Sequence, residues 1–164
     1  GELTLTTRQP VSYVYVSPNG KYVVGSNALY LDDSVYIYNE KGLVNEIKKT
    51  GSSFDIDFAY DGSWFAMTIE MIDWELYRNS KINEEKWKAI TADLVICDEN
   101  GGVIWKKEKI AQGEGPSTCK VKIIDEQIIV ITGIFDDKIY TFNKEGKLLS
   151  KEQATPEQIR GFKE

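Results

Sequence analysis

The chain has 164 residues, enough for one ordinary domain with a real core, and 41% hydrophobic with 28% charged residues is the composition of a folded chain, not a disordered one. A net charge of −6 with both signs interspersed argues against nucleic acid and anionic membrane surfaces as partners, since both need clustered Lys and Arg. No apolar run approaches the roughly 18 residues of a membrane span, so no membrane insertion is expected.

In chain order, Val11 to Val16 alternates apolar and polar residues. It runs into the turn Ser17-Pro-Asn-Gly-Lys21, and a second strand leaves through Tyr22 to Gly25. Asp33-Ser-Val-Tyr-Ile-Tyr-Asn-Glu-Lys-Gly42 is a third strand with its turn, and Leu43 to Lys49 a fourth, more polar one. The pattern then returns. Phe54-Asp-Ile-Asp-Phe-Ala-Tyr-Asp-Gly62-Ser-Trp-Phe-Ala-Met67 matches the first hairpin, and Asp93 to Trp105 the second. It returns again from Cys119 to Thr132 and from Asp136 to Leu149. Here Asp125-Glu126-Gln127 replaces the Gly turn, which calls for a tight turn of another type.

Gly20 and Gly62 lie 42 residues apart, and Gly101 and Gly146 lie 45 apart. Gly42 and Gly101 are 59 apart, but the second unit carries an extra segment of roughly 18 residues. A period of about 40–45 residues with four short strands per unit marks propeller blades. The units resemble the degenerate blades of WD40-like and PQQ-like β-propeller repeats. The resemblance rests on Ser17-Pro-Asn-Gly-Lys21, Asp33 to Gly42, Asp137 to Gly146 and, in part, Gly101-Gly-Val-Ile-Trp105, and it covers about Val11 to Glu152. The expected fold is therefore all-β. It comprises three consecutive four-stranded antiparallel blades (about 9–50, 51–110 and 111–153) in a single domain over 1–164, with a short helical insertion at about 70–92. The resemblance implies a fold and no particular activity.

Propellers close with about four to eight blades, so three blades expose the outer faces of the first and last. Those faces are expected to carry Val14, Val16, Val23 and Ile37 at one end and Val121, Ile123, Ile129 and Ile131 at the other. Three arrangements follow: a homodimer closing a six-bladed ring, a part of a longer propeller, or an open stack capped by its own termini. The alternating Glu2-Leu-Thr-Leu-Thr-Thr7 offers a closing strand. Thr155-Pro-Glu-Gln-Ile-Arg160 reads as a short helix over about 155–162, with Thr as N-cap and Pro at N1.

The insertion holds Trp74, Leu76, Tyr77, Ile82, Trp87 and Ile90, and Asn83 to Ile90 reads as a helical stretch with Asn83 as N-cap. Trp74, Tyr77 and Trp87 are the candidate partner-binding residues, since insertions on repeat scaffolds map to binding faces and aromatics anchor interfaces. The alternative is that they pack back on their own blade.

Catalytic chemistry finds no candidates. The chain has no His, which removes the Ser-His and Cys-His arrangements and histidine metal ligands, and it has no Walker or dinucleotide glycine loop. Gly113-Glu-Gly-Pro116 reads as an inter-blade loop. Catalytic, cofactor-binding and metal residues are each read as none, and no cofactor is expected. Cys97 and Cys119 lack metal or redox spacing and read as buried free thiols, leaning towards a reducing, cytoplasmic compartment. The acidic pairs Asp32-Asp33 and Asp136-Asp137 read as turn residues. Asp55 and Asp57 share one strand face. They are the residues of a rival reading, a small-ligand or hydrolytic propeller with an acidic central channel. Tyr13, Tyr15, Tyr22, Tyr30, Tyr36 and Tyr38 stand either for blade packing or for a ligand funnel. The leading expectation is a non-catalytic binding or scaffolding module with a protein partner or a second copy of itself. Part of a cell-surface protein is a further alternative.

Overall fold

A computed structural model of the chain describes residues 11–27, 33–51, 54–112, 119–132 and 137–162. Their backbone forms three four-stranded antiparallel sheets, each built from strands consecutive in sequence. The first sheet holds β1 (Tyr13–Val16), β2 (Tyr22–Ser26), β3 (Asp33–Asn39) and β4 (Gly42–Lys49). The second holds β5 (Phe54–Phe58), β6 (Trp64–Ile72), β7 (Ile90–Asp98) and β8 (Val103–Gln112). The third holds β9 (Cys119–Ile124), β10 (Gln127–Thr132), β11 (Lys138–Phe142) and β12 (Leu148–Gln153). Helices α1 (Trp74–Asn79) and α2 (Asn83–Lys88) stand between β6 and β7, and α3 (Pro156–Gly161) follows β12. These are three propeller blades with a helical insertion in the second. The proposed closing strand Glu2–Thr7 lies outside the described residues.

The period-2 alternation of strand residues decides what each blade covers. In the middle blade, Phe65, Met67, Ile69, Val95 and Cys97 pack towards blade 1 with Tyr22, Val24, Val35 and Ile37. The intervening Trp64, Ala66, Leu94 and Ile96 pack towards blade 3 with Val121, Ile128, Val130 and Phe142. Blade 2 is thus apolar on both faces, which is why β6 and β7 read as near-continuous hydrophobic runs. The expected outer-face set needs correcting. Ile37, Val121 and Ile123 point into the inter-blade cores. In register terms Ile37 pairs with Val24 and Val121 with Val130, so their faces follow those buried partners. Val14 and Val16 do lie on the outer side, 56% and 59% exposed, whereas Val23 and Ile131, also on outer faces by register, are buried at 8% and 3% exposure.

The turns explain the repeat. In blade 1, Ser17 N–H donates to Tyr22 O and Gly20 takes φ +69; in blade 2, Ala59 N–H donates to Trp64 O and Gly62 takes φ +68. The turns after β3, β7 and β11 likewise end in Gly42, Gly101 and Gly146 at positive φ. Two of these glycines are also required by close approach. A Cβ on Gly101 would lie 2.9 Å from Ile37 of blade 1, and one on Gly146 would lie 2.1 Å from the Trp105 ring of blade 2. Asn45 of blade 1 donates its side-chain N–H to the Gly101 carbonyl.

Blade 3 solves its first turn differently. Ile124 pairs with Gln127, leaving a two-residue loop in which Asp125 and Glu126 both have positive φ, +47 and +62. That is a type I′ turn, whose second position favours Gly. Forcing an L side chain into the left-handed region costs on the order of 1 kcal/mol. Glu126→Gly is therefore expected to stabilise the chain by about 0.5–1 kcal/mol, read in urea unfolding as a higher midpoint with an unchanged slope. An unchanged or lower midpoint would mean that Glu126 carries no such strain.

Candidate functional site: a lysine-lined groove beside the insertion

The insertion begins with a helix that sequence reading overlooked. Asp73 caps α1 by accepting from Leu76 N–H at 2.9 Å, an Asp followed by Glu in the first turn. In α2 the N-cap is Ile82, with no side-chain cap bond, so Asn83 is the first helical residue and not the cap. Within the insertion, Trp74 and Tyr77 meet edge to face at 5.7 Å. Arg78 stacks over Trp74 and Lys86 over Tyr77, the second contact joining α2 to α1. No residue of α1 or α2 is buried, and Leu76 and Ile82 are exposed. Trp74 and Tyr77 thus pack chiefly on their own insertion. Trp87 turns to the blade.

Trp87 lines a groove of about 470 Å³ where α2 overhangs the seam of blades 2 and 3. Its other wall residues include Lys88 of α2, Lys109 of β8, Lys138 and Tyr140 of β11, and Lys151 of β12. Glu84 is the one acidic residue of the lining among the described residues. Three local contacts shape it. The Gln112 side-chain N–H donates to Lys88 O at 2.9 Å and fastens the end of α2 to β8. The Lys151 ammonium sits 5.2 Å above the Tyr140 ring. Lys109 occupies a β-bulge at φ +53, where the ladder between β7 and β8 slips.

The bulge is held by a buried acid. Asp93, with only 4% of its side chain exposed, accepts from Lys109 N–H at 2.9 Å and pairs with the Lys106 ammonium at 3.0 Å. Burial works to lower the Lys106 pKa, but the hydrogen bond and charge of Asp93, aided by Glu108, carry it above its usual value.

The acidic strand face has a different use. Strands β5 and β9, the first strands of their blades, lie side by side. Asp55 accepts from Val121 N–H at 2.9 Å and from the Lys120 ammonium at 3.3 Å. Asp57 accepts from Ile123 N–H at 2.7 Å and from Phe58 N–H at 3.0 Å. Alternate N–H groups on the free edge of β9 would otherwise lack a ladder partner. The two carboxylates supply one, and all four of their oxygens are engaged. Among the described residues, the tyrosines of blade 1 divide between its two faces. Tyr13 and Tyr15 pack on Phe54 and Tyr22 lies in the core towards blade 2, while Tyr36 and Tyr38 lie on the opposite face. Tyr30, Asp32, Asp136 and Gly113–Pro116 lie outside the described residues.

No family model matches the chain, and no curated protein matches it. Solved structures do. The hydrazine synthase of Kuenenia stuttgartiensis is similar at TM-score 0.59 and 13% identity, over 91% of this chain and 51% of that one. A eukaryotic initiation factor is similar at TM-score 0.54 and 12% identity, over 88% of this chain and 32% of that one. KlHsv2 with its loop 6CD replaced by a Gly-Ser linker is similar at TM-score 0.51 and 17% identity, over 90% and 46%. The chain consists of β-propeller blades. At these identities the likeness is one of fold, and the chain spans about half or less of each of these proteins.

Cys97 faces the blade 1–2 core and Cys119 the blade 2–3 core, both free and buried. Burial, with the nearby charge of Asp98 for Cys97 and of Asp55 for Cys119, pushes both thiols from about 9 up to about 12. The folded state therefore favours the protonated thiol. That stabilisation is complete below pH 9 and is lost as pH rises towards 12. At pH 8 a thiol reagent should modify neither cysteine in the native chain and both after denaturation. Rapid labelling of native protein would contradict this packing.

Proposed function

We propose that the chain is a non-catalytic binding module of β-propeller type that works by protein–protein contact, with Trp74, Tyr77 and Trp87 of the insertion as contact residues. The observation that carries this reading is the insertion itself. Two short helices with no buried residue hold an aromatic group and the exposed Leu76 and Ile82 on a rigid β scaffold. Aromatic side chains grouped on an exposed element are the residue types that anchor protein interfaces. The engagement of Asp55 and Asp57 by backbone N–H groups supports a binding role over a hydrolytic one.

The same reading includes self-association, three blades plus three, closing a six-bladed ring. It is supported by a repeated position. Gly62, Gly101 and Gly146 each abut the preceding blade, whereas a Cβ added at Gly20 or Gly42 of blade 1 would meet no described atom within 4 Å. At these two turns blade 1 leaves open the space that a preceding blade fills at the turns of blades 2 and 3. On the far side of blade 3, the half-buried Ile129 and Ile139 share one face by register with Lys120 and Lys122, a patch that the exposed Val14 and Val16 of another copy would cover.

The contact residues are tested with a Trp74→Ala, Tyr77→Ala, Trp87→Ala variant. None of the three is buried, so its melting temperature is expected within about 4 °C of the parent. Immobilised parent chain is expected to retain proteins from its source cells that the variant does not. Identical retained sets would overturn the assignment.

A further inference from the structure

We propose that the groove between α2 and the seam of blades 2 and 3 binds an extended acidic peptide segment, with Lys88, Lys109, Lys138 and Lys151 meeting its carboxylates and Trp87 and Tyr140 packing against it. The inference rests on reading the chain as a protein-binding module and names the chemistry of the partner.

Charge is the first support. Among the described residues, the groove lining carries four lysines and one acid, Glu84, in a chain whose net charge is −6. Such a reversal of sign creates a local potential that draws an acidic ligand and repels a basic one.

The distribution of that charge selects an extended ligand. The four lysines come from α2, β8, β11 and β12. Lys138 and Tyr140 are two residues apart on one strand face, about 7 Å along β11, and Lys151 pairs opposite Tyr140. Cations spread in this way along two walls suit carboxylates spaced along a peptide better than one compact anion. The rings of Trp87 and Tyr140 add apolar contact at small entropic cost, which a bare anion would not use.

A strained backbone is the second, independent support. Lys109 holds φ +53, a conformation that an L side chain rarely adopts, and the buried Asp93 carboxylate fixes it there. Strain of this kind persists where the surrounding structure enforces it, and it clusters at ligand-binding positions. Here it falls on a residue of the groove wall. Lys88 is also fixed, through the bond from Gln112 to its carbonyl.

The test is calorimetric titration of the full chain with a blocked hexa-glutamate peptide, with inorganic phosphate and a dT oligonucleotide as competing probes. The peptide is expected to bind, with an affinity that falls several-fold between 50 and 200 mM NaCl, about the range over which exposed charges become screened. Lys88→Glu with Lys151→Glu, both at exposed positions, is expected to keep the parent melting temperature and to weaken the peptide at least tenfold. Trp74→Ala with Tyr77→Ala, away from the groove wall, is expected to leave peptide affinity within about twofold. Absence of peptide binding, equal binding by the double-glutamate variant, or tighter binding of phosphate or the oligonucleotide would each overturn the inference. If the peptide fails while the insertion variant still loses proteins that the parent retains, the acidic-segment assignment falls and the binding-module reading stands.

Discussion

Apolar packing of one four-stranded sheet upon the next is the interaction on which every other feature of this chain depends. Each fully buried Val, Leu or Ile contributes about 1.5–3 kcal/mol, against about 1 kcal/mol for a net backbone hydrogen bond. The Phe65, Met67 and Ile69 face of β6 and the Trp64 and Ala66 face are both consumed in this way, one by each neighbour. Ladder bonds hold each sheet together, but the stacking determines which residues each strand has. It also determines where glycine is needed, since Gly101 and Gly146 lie at turns pressed against Ile37 and Trp105 of the preceding blade.

The smaller polar devices serve that packing. Asp55 and Asp57 cover the free edge of β9 where it meets β5, so the seam between blades 2 and 3 leaves neither the Val121 nor the Ile123 N–H unpaired. On the outer side of the same seam lies the groove. Asp93 there bends β8 into its bulge, and α2 closes over the gap. The groove is thus walled by α2 and by strands of two blades, with Ile110 of the core and several lysines in its lining. At the end of the chain, α3 turns back from the outermost strand, with Thr155 and Gln158 forming a capping box. Phe162 then reaches the Lys122 ammonium of the first strand of blade 3 at 4.9 Å.

Much of this architecture is legible in the residues. The 42-residue spacing of Gly20 and Gly62 reports one turn geometry used twice, and such glycines cannot be replaced without strain, so they mark the repeat clearly. Face assignment is less legible. Alternation places Val121 and Ile129 on the same or opposite faces only once the register of β9 on β10 is known, and the turn at Asp125-Glu126 sets that register without glycine. Ile37 is easily misplaced because a bulge shifts the pairing of β3 with β4 between Ile37 and Tyr38. Helix α1 is too short to show a helical period, and its one strong signal is the Asp73 cap. The groove is not legible at all. Lys88, Lys109, Lys138 and Lys151 are separated by many residues in a chain of opposite net charge, and only blade stacking brings them together.

Blades 1 and 3 each have one face towards blade 2 and one without a blade among the described residues. A second copy of the chain is the proposed cover for those faces. Light scattering on a sizing column, over a range of concentrations, measures this most directly. The predicted result is a stable species near twice 18.6 kDa, as two three-bladed chains closing one ring require. A single species at 18.6 kDa at every concentration would contradict it and would mean that the outer faces are covered from within the chain.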